Sequence, residues 1–309
     1  MSVKANEKQP SQNFRIREQE DIMERENHPG YPVFVMCGED PRRRKLMEAV
    51  DPDGEYKSKA LLPFLGRRLI DWQMDALRKS PYVDELYLIG LDETDVTFDF
   101  PVHYVPAETI SDFGDKLIRG LNYLEEQGET PDLVVISSSD APAIRAEDIN
   151  AFFEDIEQEG GCEVYISLVP EDVAEVVFPK SGRVVARFKD WQVFPGELFA
   201  LSPRAIRMQQ QVITDLGLLR REINRHARKI SLGPMLRYLA QRPRTWWTIL
   251  KFLLGQATLA EGEQAVSNAF GCKTRGVIIE DAGFGMDMDL PEDFTRLQTY
   301  VRKIKNVKY

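Results

Sequence analysis

The chain has 309 residues, 43% hydrophobic and 29% charged, which is enough apolar mass to bury a core without covalent staples. Forty basic against fifty acidic side chains give a formal net charge of −10, the wrong sign for a protein whose affinity must come from neutralising nucleic-acid phosphates. Cys37, Cys162 and Cys272 are far apart, with no Cys-x-x-Cys or His-x-x-x-His spacing, which argues against a disulfide framework and a structural zinc site. A reducing compartment follows as the expectation; with no apolar run of bilayer-spanning length and no apolar signal core in MSVKANEKQPSQ, so does a cytoplasmic location.

Residues 1–30 are rich in Glu, Arg, Lys, Gln and Asn and read as a charged, solvated tail. From Tyr31 the pattern changes. YPVFVMCG, ELYLIGL, VHYVPA, LVVISSS and VYISLVP are short runs rich in Val, Ile, Leu or Tyr, each of buried-strand length. Between them lie the helix-period segments LIDWQMDALRKS, FGDKLIRGLNYLEEQG and AEDINAFFEDIEQEG, the last two closed by glycine. This alternation predicts an α/β fold with a mostly parallel sheet and helices on both faces, whose ligands bind at the carboxyl ends of the strands. After Pro170 come shorter strand-like pieces, RVVARFK and ELFALS, then a largely helical insertion over about 204–271. A last strand, TRGVIIED, leads into GFGMDMDLPEDF and a C-terminal helix. The simplest organisation is one α/β domain over 31–309 that carries the helical insertion.

Two acidic sites stand at strand ends. Asp140 in LVVISSSDAPAI follows a buried strand and precedes a segment that proline bars from the ladder, so its carboxylate is expected in the crevice. Asp287 and Asp289 occupy alternate positions in GMDMDLPED and share a face if the chain is extended there. Two or three such oxygens are what a magnesium ion takes from protein, the rest coming from water and substrate phosphates. The plainer alternative makes Asp140 and Asp289 caps of the helices that follow. If they bind one metal, they must converge from about 150 residues apart.

The combination of KALLPFLGRRLIDWQMDAL, LVVISSSDAPAI and GMDMDLPEDF, in that order, resembles the nucleotidyltransferase superfamily with a GT-A-type, Rossmann-like fold. That superfamily includes molybdenum-cofactor guanylyl- and cytidylyltransferases and sugar-1-phosphate nucleotidyltransferases. The resemblance runs from about Tyr31 to the C-terminus. It implies that Lys59 contacts the nucleotide, that Asp140 binds Mg²⁺, and that Asp289, with Asp287 beside it, completes the metal site. Lys59 and Asp140 would then be the catalytic pair for Mg²⁺-dependent transfer of NMP from an NTP to a phosphorylated small molecule, releasing pyrophosphate. Positioning and charge neutralisation suffice for such phosphoryl transfer without a covalent nucleophile.

The resemblance further places the phosphate-cradling loop after the first strand, where the chain reads VMCGEDPRRRKLMEAVDPDGEYKSK. Gly38 alone remains of the glycines; Glu39 and Asp40 oppose phosphate, and Arg42, Arg43 and Arg44 supply compensating charge. The stretch Cys37–Lys57 has no sustained apolar period and is expected to be an irregular lid. Ser111 and Asp112 fall in the family's nucleotide-contact region, although either also suits an ordinary N-cap. Gly196 and Glu197 in PGELFALSP correspond to the acceptor side, where Gly-Asn is commoner.

RTWWTILKFLLG, with Trp246 and Trp247, is too short to span a bilayer and reads as a core or homodimer-contact helix, with interfacial membrane docking as the sharper alternative. Two further functional readings stand beside nucleotidyl transfer. Asp287-Met288-Asp289 matches the Asp-x-Asp of GT-A glycosyltransferases, though those place it after the central strand. A nucleotide-binding module that has lost its phosphate loop would keep the crevice without turnover.

Overall fold

The computed structural model describes residues 28, 30–38, 45–107, 112–208, 210 and 233–305. The predicted tail therefore lies almost wholly outside the described residues, as do Arg42, Arg43, Arg44, Ser111 and much of the predicted insertion. The strands are β1 (Tyr31–Met36), β2 (Pro63–Phe64), β3 (Arg67–Arg68), β4 (Val83–Ile89), β5 (His103–Val105), β6 (Val134–Ser137), β7 (Val164–Pro170), β8 (Ala186–Arg187), β9 (Gln192–Leu201) and β10 (Thr274–Ile278). Eight of them form one sheet in the order β10-β7-β9-β6-β1-β4-β5, with β8 paired to β9; β2 and β3 make a separate hairpin. β4, β1 and β6 run parallel, as do β4 with β5 and β10 with β7. The long β9 is antiparallel to both β6 and β7. The sheet is thus mostly parallel, in an α/β, Rossmann-like arrangement.

Strand alternation builds its two faces. Val33, Val35 and Val135 meet Ile70, Met74 and Leu77 of α2 (Leu69–Leu77) and Ile149, Phe152 and Ile156 of α4 (Ala146–Glu159). Their neighbours Phe34, Val134 and Ile136 meet Leu117, Leu121 and Leu124 of α3 (Phe113–Glu126) on the opposite side. A period of two in β1 and β6 therefore recruits helices to both faces.

A third cluster underlies the carboxyl end of the sheet. Leu62, Phe64, Leu69, Trp72, Met286 and Met288 pack with Leu297 and Val301 of α9 (Pro291–Ile304). Leu46 and Met47 join them from α1 (Lys45–Val50). This corrects the expectation of an irregular loop over Cys37–Lys57, because a six-residue helix lies inside it. The short amphipathic pattern was too brief to nucleate a helix alone, and its partners come from segments distant in sequence.

Two other expectations change. Of RVVARFK, only Ala186–Arg187 joins the sheet, since Arg183 is turned toward Asp287 instead. The short α5 (Glu171–Val177) follows β7, and the helical region after Arg204 contains α6 (Gly233–Ala240), α7 (Trp246–Leu253) and α8 (Leu259–Phe270) among its described residues. α7 contains no buried residue, so it is not a core helix.

Candidate active site

β1, β4 and β6 end together, their parallel register pairing Met36 with Ile89 and Val35 with Ser137. Cys37, Gly90 and Ser138 consequently begin loops at one edge of the sheet. The Lys116 ammonium of α3 donates to the Cys37 carbonyl at 2.9 Å. A Cβ on Gly38 would meet only the flexible end of the Lys116 side chain, so glycine here leaves room for that ammonium to reach the Cys37 carbonyl. Asp112 caps α3, accepting from the Asp115 N–H at 2.9 Å; for this residue the ordinary N-cap role is plainly present.

The loop after β6 is held from three directions. Buried Gln73 of α2 donates to Ser137 Oγ at 2.6 Å and accepts from the Ala141 N–H at 3.0 Å. Ser139 Oγ donates to the Met36 carbonyl at 3.0 Å. The Met288 N–H donates to the Asp140 carbonyl at 3.1 Å, tying the β6 loop to the segment before α9. In that segment Met286 and Met288 are fully buried in the third cluster, and Asp287 and Asp289, which alternate with them, bring their carboxylates to Asp140.

One ligand oxygen from each of Asp140, Asp287 and Asp289 lies within 4.8 Å of the others. Neither Asp140 nor Asp289 is a helix cap: α4 begins after Arg145, and it is Asp293 that accepts from the Leu290 N–H at α9, at 3.0 Å. Lys59, in a 3-10 turn over Lys59–Leu61, forms an ion pair with Asp140 and another with Asp289 at 2.7 Å, and donates to the Met288 carbonyl at 3.3 Å. Arg183 pairs with the Asp287 carboxylate and donates to the Asp287 carbonyl at 3.0 Å.

Burial pushes the Asp140 carboxyl above its usual range; Lys59 opposes that shift, while Asp287 and Asp289 reinforce it. Burial works against the charge of Arg183, but the carboxylates of Asp287 and Glu197 more than compensate and raise its pKa. Three clustered carboxylates face two cations, and all the candidate ligand atoms are hard oxygens. That chemistry fits a divalent ion such as Mg²⁺, which takes one or two carboxylates and shares the remainder of its shell with water and phosphate. Cys37 offers no competing nucleophile, since burial pushes its thiol up to about 12.

The structure therefore brings Lys59, Asp140, Asp287 and Asp289 together from three loops. Gly196 and Glu197, expected on the acceptor side, are buried in β9. A Cβ at Gly196 would come within 2.6 Å of Ser167 Oγ and 3.0 Å of Phe284, so the absent side chain serves close packing. Glu197 is 3% exposed, and its charge acts on Arg183. Sequence reasoning missed Gln73 and Arg183. Gln73 occupies a core-facing position in a helix, where a polar residue needs partners; Arg183 follows the Lys180-Ser181-Gly182 turn, which gave no sign of its target.

Comparison with known proteins bears on the same elements. The chain is similar in structure to a hypothetical transferase from Thermus thermophilus, with a TM-score of 0.64 and 20% identity, covering 86% of this chain and 100% of that one. A CMP:2-keto-3-deoxy-manno-octonic acid synthetase solved with CTP aligns at a TM-score of 0.50 and 13% identity, over 89% of this chain and 98% of that one. These likenesses concern the fold. No curated protein matches by sequence. The profile of the MobA-like NTP transferase domain, however, matches residues 33–211, which include most of β1, Lys59, the β6 loop with Asp140, and β9. With more than half its length matched, this chain belongs to the MobA-like NTP transferase family and is a nucleotidyltransferase-type enzyme.

Proposed function

We propose that the enzyme moves a nucleoside monophosphate from an NTP to a phosphorylated small-molecule acceptor in a Mg²⁺-dependent reaction that releases pyrophosphate. The observation that carries this reading is the convergence of Asp140, Asp287 and Asp289 within 4.8 Å, with Lys59 against two of them. Mg²⁺, when bound by these carboxylates, supplies neutralisation of the negative charge on the triphosphate. An acceptor phosphate oxygen attacks the α-phosphorus in line, the bond to the bridging α–β oxygen breaks, and pyrophosphate leaves with that oxygen. Lys59 provides a second cation for phosphate oxygens. Arg183 orients Asp287, and Gln73 orients the loop that carries Asp140. In this reading Gly38, Lys59 and Asp112 serve the nucleotide, and the same role is proposed from the sequence alone for Arg42, Arg43, Arg44 and Ser111, which lie outside the described residues. The three cysteines are unpaired, which suits a reducing compartment and a cytoplasmic enzyme.

Asp140→Asn is the direct test. Asparagine is nearly isosteric and removes one full negative charge from the cluster, so Mg²⁺-dependent pyrophosphate release should fall at least about a hundredfold while the urea midpoint stays near wild type. Wild-type protein that turns over no NTP with a broad panel of phosphorylated acceptors, or an Asp140→Asn variant that retains full activity, would sink the proposal.

A further inference from the structure

α7 has the sequence WWTILKFL, yet it buries none of its residues. Trp246 is 59% exposed, Trp247 67%, Leu250 46%, Leu253 67% and Leu254 66%. At about 100° per residue, these five positions fall within about 120° of arc on one side of the helix. The opposite side is engaged: Phe252 packs edge-on against Phe188, with ring centroids 5.2 Å apart. The Trp246 indole N–H donates to the Ala240 carbonyl at 2.7 Å, which fixes the ring of a side chain that stays exposed. Contiguous exposure of two tryptophans and three leucines on a soluble domain marks an interaction surface.

Charge indicates the partner. Residues 233–255 contain Arg237, Arg242, Arg244 and Lys251 and no acidic residue, whereas the remainder of the chain has 36 basic against 50 acidic side chains. Lys251 is paired with Glu261, but Arg237, Arg242 and Arg244 are exposed. A basic, tryptophan-bearing apolar face on an acidic protein is complementary to a surface that is itself apolar and anionic. We infer that α7 docks the enzyme on an anionic phospholipid surface, with Trp246, Trp247, Leu250, Leu253 and Leu254 entering the headgroup boundary and Arg242 and Arg244 meeting lipid phosphates. Nucleic acid would match the arginines but leave the leucines uncovered. An isologous second copy would cover the leucines but set two such basic segments side by side.

The test is co-sedimentation of the full-length protein with vesicles of phosphatidylcholine alone and of phosphatidylcholine with roughly 30% phosphatidylglycerol. The expected result is binding to the anionic vesicles, a blue shift of tryptophan fluorescence, and loss of most binding in about 1 M salt, where the Debye length is about 3 Å. Trp247→Ser combined with Leu253→Ser should lower partitioning at least about tenfold. Arg242→Gln combined with Arg244→Gln should lower it about thirtyfold. Both variants change exposed side chains, so unchanged circular dichroism and urea midpoints are the check that the effect lies in docking. The inference is overturned by equal partitioning into both vesicle types, by absence of binding to either, or by anionic binding that both variants retain. It is also overturned if, without vesicle binding, light scattering shows a dimer that the Trp247/Leu253 variant abolishes, or if duplex DNA is bound. None of these readouts depends on catalysis, so failure here is separable from failure of the proposed reaction.

Discussion

Gln73 is a fully buried amide whose two ends hold residues on either side of Asp140, Ser137 by donation and Ala141 by acceptance. Gln73→Leu would leave the Ala141 N–H and the Ser137 hydroxyl without this partner in a site closed to water. A loss of about 2–3 kcal/mol in urea denaturation is expected, with a fall in turnover as the β6 loop relaxes. A variant with wild-type stability and activity would show that Asp140 is positioned by the backbone alone. Arg183 acts at the same scale on the other side of the cluster. Its guanidinium is paired with Asp287, so Arg183→Met removes a cation from among three clustered carboxylates and should cost about 3 kcal/mol in the presence of a chelator. Adding Mg²⁺ should restore part of that loss, giving a larger rise in Tm than in wild type; an equal rise in the two proteins would argue that the ion does not meet Asp287.

At the scale of elements, α9 closes the site from behind. Pro291 stands in its first turn, Asp293 accepts from the Leu290 N–H, and Leu297 and Val301 are anchored in the third cluster. At its end Lys305 lies over the Trp72 ring, 5.5 Å from the centroid, and donates to the Ile144 carbonyl at 3.3 Å. Burial, aided by Lys79 and Arg67 and opposed by Asp75 and Glu147, lowers its amine from 10.5 to about 8. Between those two values the unfolded chain binds a proton that the folded chain has released, so this group makes stability rise with pH over that window. The full rise is on the order of 3 kcal/mol. Lys305→Met should flatten the difference in unfolding free energy between pH 7.5 and 9.5, as measured by urea titration at both pH values. Parallel wild-type and variant profiles would mean that the ammonium remains solvated.

α1 illustrates what can be read at this scale. Its apolar residues, Leu46, Met47 and Val50, occupy one side of a segment otherwise rich in charge and turn formers. No period is sustained long enough to distinguish a helix from a lid, and the distinction rests on contacts with Leu62, Phe64 and Met286. α3, by contrast, was legible because Leu117, Leu121 and Leu124 repeat at helical spacing behind the cap of Asp112.

For the molecule as a whole, binding at a site assembled from loops distant in sequence should stabilise the entire fold. Under the proposed reaction, an NTP with Mg²⁺ at about a hundred times its Kd adds about 2.7 kcal/mol, and the matching base should stand apart from the others in a thermal-shift panel. Asp140→Asn should abolish the Mg²⁺-dependent part of that shift. A panel in which all four NTPs give equal, Mg²⁺-independent shifts would point to nonspecific anion binding.

The sequence by itself determined the alternation of strand and helix, because period-two and period-3.6 apolar patterns are written locally in runs such as VYISLVP and DKLIRGLNYL. It also marked Asp140, Asp287 and Asp289, since carboxylates just beyond buried strands have few places to go except the crevice. Only the tertiary structure decided that β9 runs antiparallel between β6 and β7, that Lys59 reaches both Asp140 and Asp289, and that Arg183 and Gln73 brace the loops. It likewise brought Glu197 into the charge balance around Arg183. The physical reason is range: hydrophobic period and turn chemistry act between neighbours in sequence, whereas ion pairs and buried amide bonds join residues up to 230 positions apart and exist only after the sheet has set which loops share an edge.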